Sequence, residues 1–147
     1  MTAKEYLRQL RSLNILINAM LQEKERLFAM ATKVNAPLSD CKVDSSPDNS
    51  KTEEIIIKMT ALGETINDQV DHYVDLKTKV TEQINMLSDT RYRILLYMRY
   101  INGYSFAEIA QRMDYEIRWI MSLHGRALQE FWRINKQDIL MHMSSVV

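Results

Sequence analysis

Apolar residues that recur at alternating three- and four-residue steps constrain this chain more than any other feature of it. In the first segment they are Ala3, Tyr6, Leu10, Leu13, Ile17, Met20 and Leu27, with Lys24 as an interruption. Such a heptad seam is the period of a helix that packs against another helix. A second stripe, Leu7, Leu21 and Phe28, widens the sticky face and has Asn14 as its polar gap. Thr2 followed by Glu5 has capping-box spacing, so one long helix is expected over 1–31. At ~1.5 Å per residue, about 29 helical residues run ~44 Å, more than a compact domain of this size needs.

A second seam follows in Ile55, Met59, Leu62, Ile66, Tyr73, Leu76, Val80 and Leu87, with Gln69 and Gln83 as polar gaps and Ile56, Val70 and Ile84 beside it. Ser50 with Glu53 again has capping-box spacing, which predicts a second long helix over 51–87. Gly63 inside it costs roughly 1 kcal/mol against Ala and marks a bend or a close helix contact. Between the seams, 32–50 contains both prolines, Pro37 and Pro47, among Ser, Asp and Asn, and reads as a flexible linker. With only three glycines and two prolines in the chain, a sandwich or barrel of many short strands is excluded. The expectation is an all-α fold: a long helical hairpin, or a coiled coil between chains, followed by a C-terminal helix-turn-helix. Seam periodicity does not separate hairpin from coiled coil.

The C-terminal part changes character. Ser88 and Asp89 can cap a new helix, and Ile94, Leu95, Tyr97, Met98 and Ile101 form a shorter apolar pattern closed by the turn signal Asn102-Gly103. Ser105 and Glu108 form a third capping box, opening the short helix FAEIAQRM. After a turn at Asp114-Tyr115, a longer helix carries Ile117, Ile120, Leu123, Ala127, Leu128 and Phe131 on its inner face. A helix-turn-helix needs a small residue where its helices cross, and Ala110 fits, with Ile109, Met113, Ile120 and Leu123 filling the contact. A plain helical bundle has the same pattern, so spacing alone leaves both readings open. The helix-turn-helix domain is placed at 88–136, with 137–147 a tail that either extends a helix or frays.

The stretch from Arg91 to Phe131 resembles the C-terminal helix-turn-helix of sigma-70-type factors, called region four. The shared features are Arg99-Tyr100, Gly103, the EIA of Glu108, Ile109 and Ala110, and the RAL of Arg126, Ala127 and Leu128. With its seam-forming first part, the whole chain is similar to small phage- or prophage-encoded transcription regulators of Gram-positive bacteria. Asp114 stands where many such motifs place Gly, and Glu116 where Ser or Thr often caps the second helix. Nothing in the first 90 residues matches the polymerase-gripping domain of a complete sigma factor, so a self-sufficient sigma factor is not expected.

Charge supports contact with DNA. The chain is neutral, with nineteen basic and nineteen acidic residues. From Arg91 onward eight basic residues face five acidic ones, a net of +3, and the first ninety residues carry −3. The outer face of the second motif helix is expected to show Glu116, Arg118, Trp119, Met121, Ser122 and Gly125. Arg118 and Ser122 are candidates for base edges, Arg118 as a bidentate partner of guanine. Arg126 and Arg112 suit phosphates, which position a protein without reading sequence. Trp119 either stacks beside the groove or covers the core of the motif, and His124 is expected to be partly buried.

No catalytic arrangement stands out: there is no Gly-rich phosphate loop, HExxH pair or GxSxG elbow. Asp68, Asp71 and Asp75 read as a solvated face, and a metal site with His72 is set aside. Cys41, the single thiol, forms no internal disulfide and reads as a reduced bystander. The first residues lack the hydrophobic run of a signal peptide, which points to the cytoplasm of a bacterial host cell. The expected function is sequence-specific DNA binding in transcription regulation, with no enzyme activity, cofactor or metal. Expected partners are duplex DNA, RNA polymerase, and further copies in a homodimer or higher homo-oligomer, with no membrane. Alternatives are a DNA-packaging component resembling a small terminase subunit, and a polymerase-docking protein that does not read DNA.

Overall fold

The computed structural model describes residues 1–35 and 49–145. Pro37, Cys41 and Pro47, and most of the expected linker, lie outside the described residues. Within them the fold is all-α, with no strand: α1 Ala3–Asn35, α2 Asn49–Asn85, α3 Thr90–Leu96, a π-helical turn Tyr97–Ile101, α4 Phe106–Met113 and α5 Ile117–Ser144. No helix among the described residues is long and apolar enough to cross a membrane.

Local chemistry explains most helix ends. The Glu5 amide donates to Thr2 Oγ1 at 3.2 Å and the Thr2 amide donates to Glu5 Oε2 at 2.7 Å, a complete capping box at the start of α1. Asp89 caps α3 by accepting from the Arg91 amide at 2.9 Å. Other ends differ from expectation. The first helix runs on to Asn35, past 31, and the second starts at Asn49, so Ser50 lies inside it. That second helix stops at Asn85, before 87, but Leu87 is still buried.

At the C-terminus, where the sequence left helix extension and fraying both open, α5 passes unbroken through 136 to Ser144. Packing holds it there: Ile139 is buried, and Asp138 receives Gln83 Nε2 at 3.2 Å and Lys79 Nζ at 2.9 Å. No Gly or Pro interrupts these residues, so nothing in the chain opposes the extension.

The chain forms two units. The first comprises Met1–Ser12 with Tyr73–Val147, the second Leu13–His72. In the first unit, α1 and α2 run antiparallel, with Tyr6 opposite Gln83, and both seams are buried with Phe131 and Ala127 of α5. Each fully buried Leu, Ile or Phe there contributes ~1.5–3 kcal/mol from desolvation. Gln83, a gap in the seam by pattern, is 2% exposed and acts as a hub. It accepts from the Tyr6 hydroxyl at 2.9 Å, and its backbone carbonyl takes Asn135 Nδ2 at 3.4 Å.

In the second unit the same two helices also lie side by side, as an in-chain hairpin. The two interruptions meet here, because a Cβ at Gly63 would lie 3.4 Å from Lys24 Nζ. At 3.4 Å from the flexible end of a side chain this is ordinary van der Waals contact, and it marks no close approach of the two backbones. The outer stripes behave differently in the two units. Leu7 and Ile84 are fully buried in the first, whereas Leu21, Phe28, Ile56 and Val70 are exposed in the second.

Candidate nucleic-acid interface

Three short signals build the C-terminal motif. Ser105 and Glu108 close a capping box at 3.2 and 3.1 Å, starting α4. The helix ends in a left-handed Asp114, φ 59° and ψ 46°, whose amide turns back to α4 while the Tyr115 amide reaches the Ala110 carbonyl at 3.0 Å. That is a Schellman closure, which favours Gly and tolerates Asp. Glu116 then stands in extended conformation at the start of α5, and its side chain makes no capping bond.

Between the two helices sit Leu95, Ile109, Ala110, Ile120 and Leu123, all buried, with Met113 packed against them. Ala110, expected at the helix crossing, is buried in this cluster, 7% exposed. Ile117 departs from its expected place on the inner face, being 47% exposed, and Leu128 is only partly buried. The helix rotates by ~100° per residue, and a core centred on Ile120, Leu123 and Ala127 leaves position 117 near its edge.

All seven expected contact residues, Arg112, Arg118, Trp119, Met121, Ser122, Gly125 and Arg126, are exposed. Six of them share the outward side of α5. Arg118 has no hydrogen-bond or ion-pair partner among the described residues. Trp119 does not cover the core: it is 37% exposed, and Arg126 Cζ lies 5.4 Å from its ring centroid. Arg112 belongs to α4, and its guanidinium lies 4.2 Å from the ring of Tyr104. Gly125 is open, and a Cβ there would meet nothing within 4 Å.

Behind this face lies a buried polar contact that spacing did not reveal. His124 is 6% exposed, more deeply placed than expected, and its Nε2 sits 2.8 Å from the Tyr100 hydroxyl. Phe106 meets its ring edge-on at 4.9 Å. Burial, then the positive charges of Arg99, Lys4 and Arg8, hold its pKa down at about 4. Arg99 leaves the π-helical turn to donate to the Tyr104 carbonyl at 3.0 Å, with its guanidinium 4.2 Å from the Phe106 ring. The missed signal was a His at helical spacing from apolar neighbours, which also describes many ordinary core positions. No group of three or more His, Cys, Asp or Glu among the described residues is placed to hold a metal.

The division into units sharpens the charge pattern. The first unit carries thirteen basic and nine acidic residues, a net of +4, and the second six and ten, a net of −4. Lys4, Arg8 and Arg11 thus join the positive unit, although the first ninety residues are acidic as a whole.

No curated protein and no solved structure matches the chain. A family described as "Protein of unknown function (DUF1492)" matches residues 33–130, more than half of the chain, from the end of α1 into α5. This protein belongs to the DUF1492 family.

Proposed function

We propose that this protein is a sequence-specific DNA-binding transcription regulator, phage or prophage encoded, acting at promoters through a helix-turn-helix that resembles sigma-70 region four. One observation carries the reading: α5 follows α4 across a left-handed turn and turns outward a face with an unpaired guanidinium at Arg118 and an open backbone at Gly125. A helix-interior glycine costs ~1 kcal/mol against Ala. Gly125 has no packing reason for that cost, and close approach of a partner supplies one. Arg118 and Ser122 would read base edges, and Arg126 and Arg112 would hold phosphates.

A single motif touches few base pairs, and a second copy raises affinity and specificity together. The exposed Leu21, Phe28 and Ile56 of the second unit support a homo-oligomer, since such stripes are ordinarily covered. RNA polymerase remains the second proposed partner, favoured by the exposed Ile94 and Tyr97 ahead of the motif.

Selection of bound sites from random duplexes, with the mass of the complex measured, tests this reading. A recovered motif whose half-site spacing matches the oligomer is the expected outcome. Absence of duplex binding at low salt would overturn it and leave polymerase docking in its place.

A further inference from the structure

The first turns of α1 place Lys4, Arg8 and Arg11 at i, i+4 and i+7, on one side of the helix. They line a recess of about 50 Å³ together with Arg99, Tyr100 and His124. Four cations thus surround one small space. Among the described residues, Lys4, Arg8 and Arg11 have no hydrogen-bond or ion-pair partner, and no carboxylate lines the recess. Like charges gathered without a counter-charge repel, which a protein tolerates at little benefit unless an anion is to be bound.

A second observation points the same way. Tyr100 and neutral His124 own two polar hydrogens, and the single contact at 2.8 Å uses only one. If the hydroxyl donates to Nε2, the proton of Nδ1 is left free; if Nε2 donates, the hydroxyl proton is left free. Either tautomer leaves a donor unpaired. Among the described residues no buried side-chain polar atom is sealed without a partner, so Nδ1, which has none, is open to solvent on a residue that lines the recess. The space is too small for a nucleobase but takes the oxygens of one tetrahedral anion.

Resting on the DNA-binding reading above, we infer that this recess binds one phosphate of the DNA backbone, held by Lys4, Arg8, Arg11 and Arg99 with a neutral donor from the Tyr100–His124 pair. The site positions the duplex and reads no sequence, because phosphates are alike along the chain. The N-terminal helix, otherwise a seam, thereby becomes part of the interface.

The test compares the protein with R8Q/R11Q, in which Gln keeps helix propensity and neither lost side chain had a partner. The His124 ring signals are followed by NMR at neutral pH as inorganic phosphate or a duplex is added, with His72 and His142 as internal references. Duplex affinity is measured against salt. Expected are a shift at His124 alone with either probe, lost in R8Q/R11Q, and a salt slope reduced by about 0.9, one phosphate contact. Sequence preference should be unchanged.

A duplex that binds with unchanged slope in R8Q/R11Q overturns the inference and leaves the DNA-binding reading standing, even if free phosphate moves His124. A slope that falls while His124 responds to neither probe places the contact outside the recess and also overturns it. If the protein binds no duplex at low salt, the DNA-binding reading fails and the backbone phosphate fails with it. A phosphate-induced His124 shift, absent in R8Q/R11Q, would then support an oxyanion site for free phosphate only.

Discussion

The hydroxyl of Tyr100 lies 2.8 Å from Nε2 of His124, so the π-helical turn and the middle of α5 share one buried polar contact behind the exposed face of the motif. The centroids of these same two rings are 5.8 Å apart, and Phe106 meets the His124 ring edge-on at 4.9 Å. The contact fixes the ring of a residue whose neighbours on α5, Met121 and Gly125, face outward.

Burial of His124, with Arg99, Lys4 and Arg8 nearby, makes stability depend on pH. The folded pKa of His124 is lowered from 6.5 to about 4, so the unfolded chain takes up this proton first as pH falls. Stability from this group is complete above pH 6.5 and is lost between about 6.5 and 4. At 1.36 kcal/mol per pH unit the loss is on the order of 3 kcal/mol. Urea midpoints at pH 7.5 and 5, in buffer free of phosphate and sulfate, should fall in the native protein. They should fall much less in His124→Gln. Equal falls in both would assign the acid sensitivity to other groups.

Gly125 separates stability from function. Replacement by Ala should raise stability by about 0.5–1 kcal/mol, since a Cβ there meets nothing and Ala is the better helix former. Replacement by Leu should leave the fold intact but lower duplex affinity by about tenfold, ~1.4 kcal/mol, by holding α5 off the groove. Thermal melts and titration of duplex, done on both variants, read the two effects. Undiminished affinity in Gly125→Leu would remove Gly125 from the interface.

The hydroxyl of Tyr6 and the side chain of Gln83 should behave as one unit. Tyr6→Phe leaves Gln83 Oε1 buried without its donor, and Gln83→Leu leaves the hydroxyl without its acceptor, each costing about 1–3 kcal/mol. The double variant should cost less than the sum, by about 1 kcal/mol, since neither partner is then stranded. Additive losses in chemical denaturation would show that the hydrogen bond carries no coupling.

Arg118 and Arg126 should fail differently. Without Arg118, discrimination at one base pair should drop by about 1–3 kcal/mol, while binding to unrelated duplex is little changed. Without Arg126, all duplexes should weaken alike and the salt slope should decrease by about 0.9. Binding to a panel of single-base variants distinguishes them. A uniform loss from both substitutions would reassign Arg118 to the backbone.

Much of the fold was legible in the chain because its signals are local. Thr2–Glu5, Asp89 and Ser105–Glu108 are caps made within three residues, and each forms its bonds. Ile109, Ala110, Ile120 and Leu123 were readable as a core because a 3.6-residue period places them on facing stripes. Ser50, expected just ahead of the second helix, lies inside α2 as described from Asn49. Of the candidate interface, outward positions such as Arg118 and Ser122 followed from periodicity, since exposure is the complement of a known core face.

What the sequence by itself determined is the main helices, a turn at Asp114-Tyr115 and the seam-forming character of the two long elements, all set by neighbours within a turn or two. Only tertiary structure decided that the seams pair within one chain, that Gln83 is a buried hub and that α5 continues along α2 to Ser144. Tertiary structure alone also gathered Lys4, Arg8 and Arg11 beside Arg99 and His124. These outcomes depend on groups far apart in the chain, and periodicity specifies which face of a helix is sticky without specifying what it meets. A charge count along the chain assigned the first ninety residues to an acidic half; folding moved three of their cations to the positive unit.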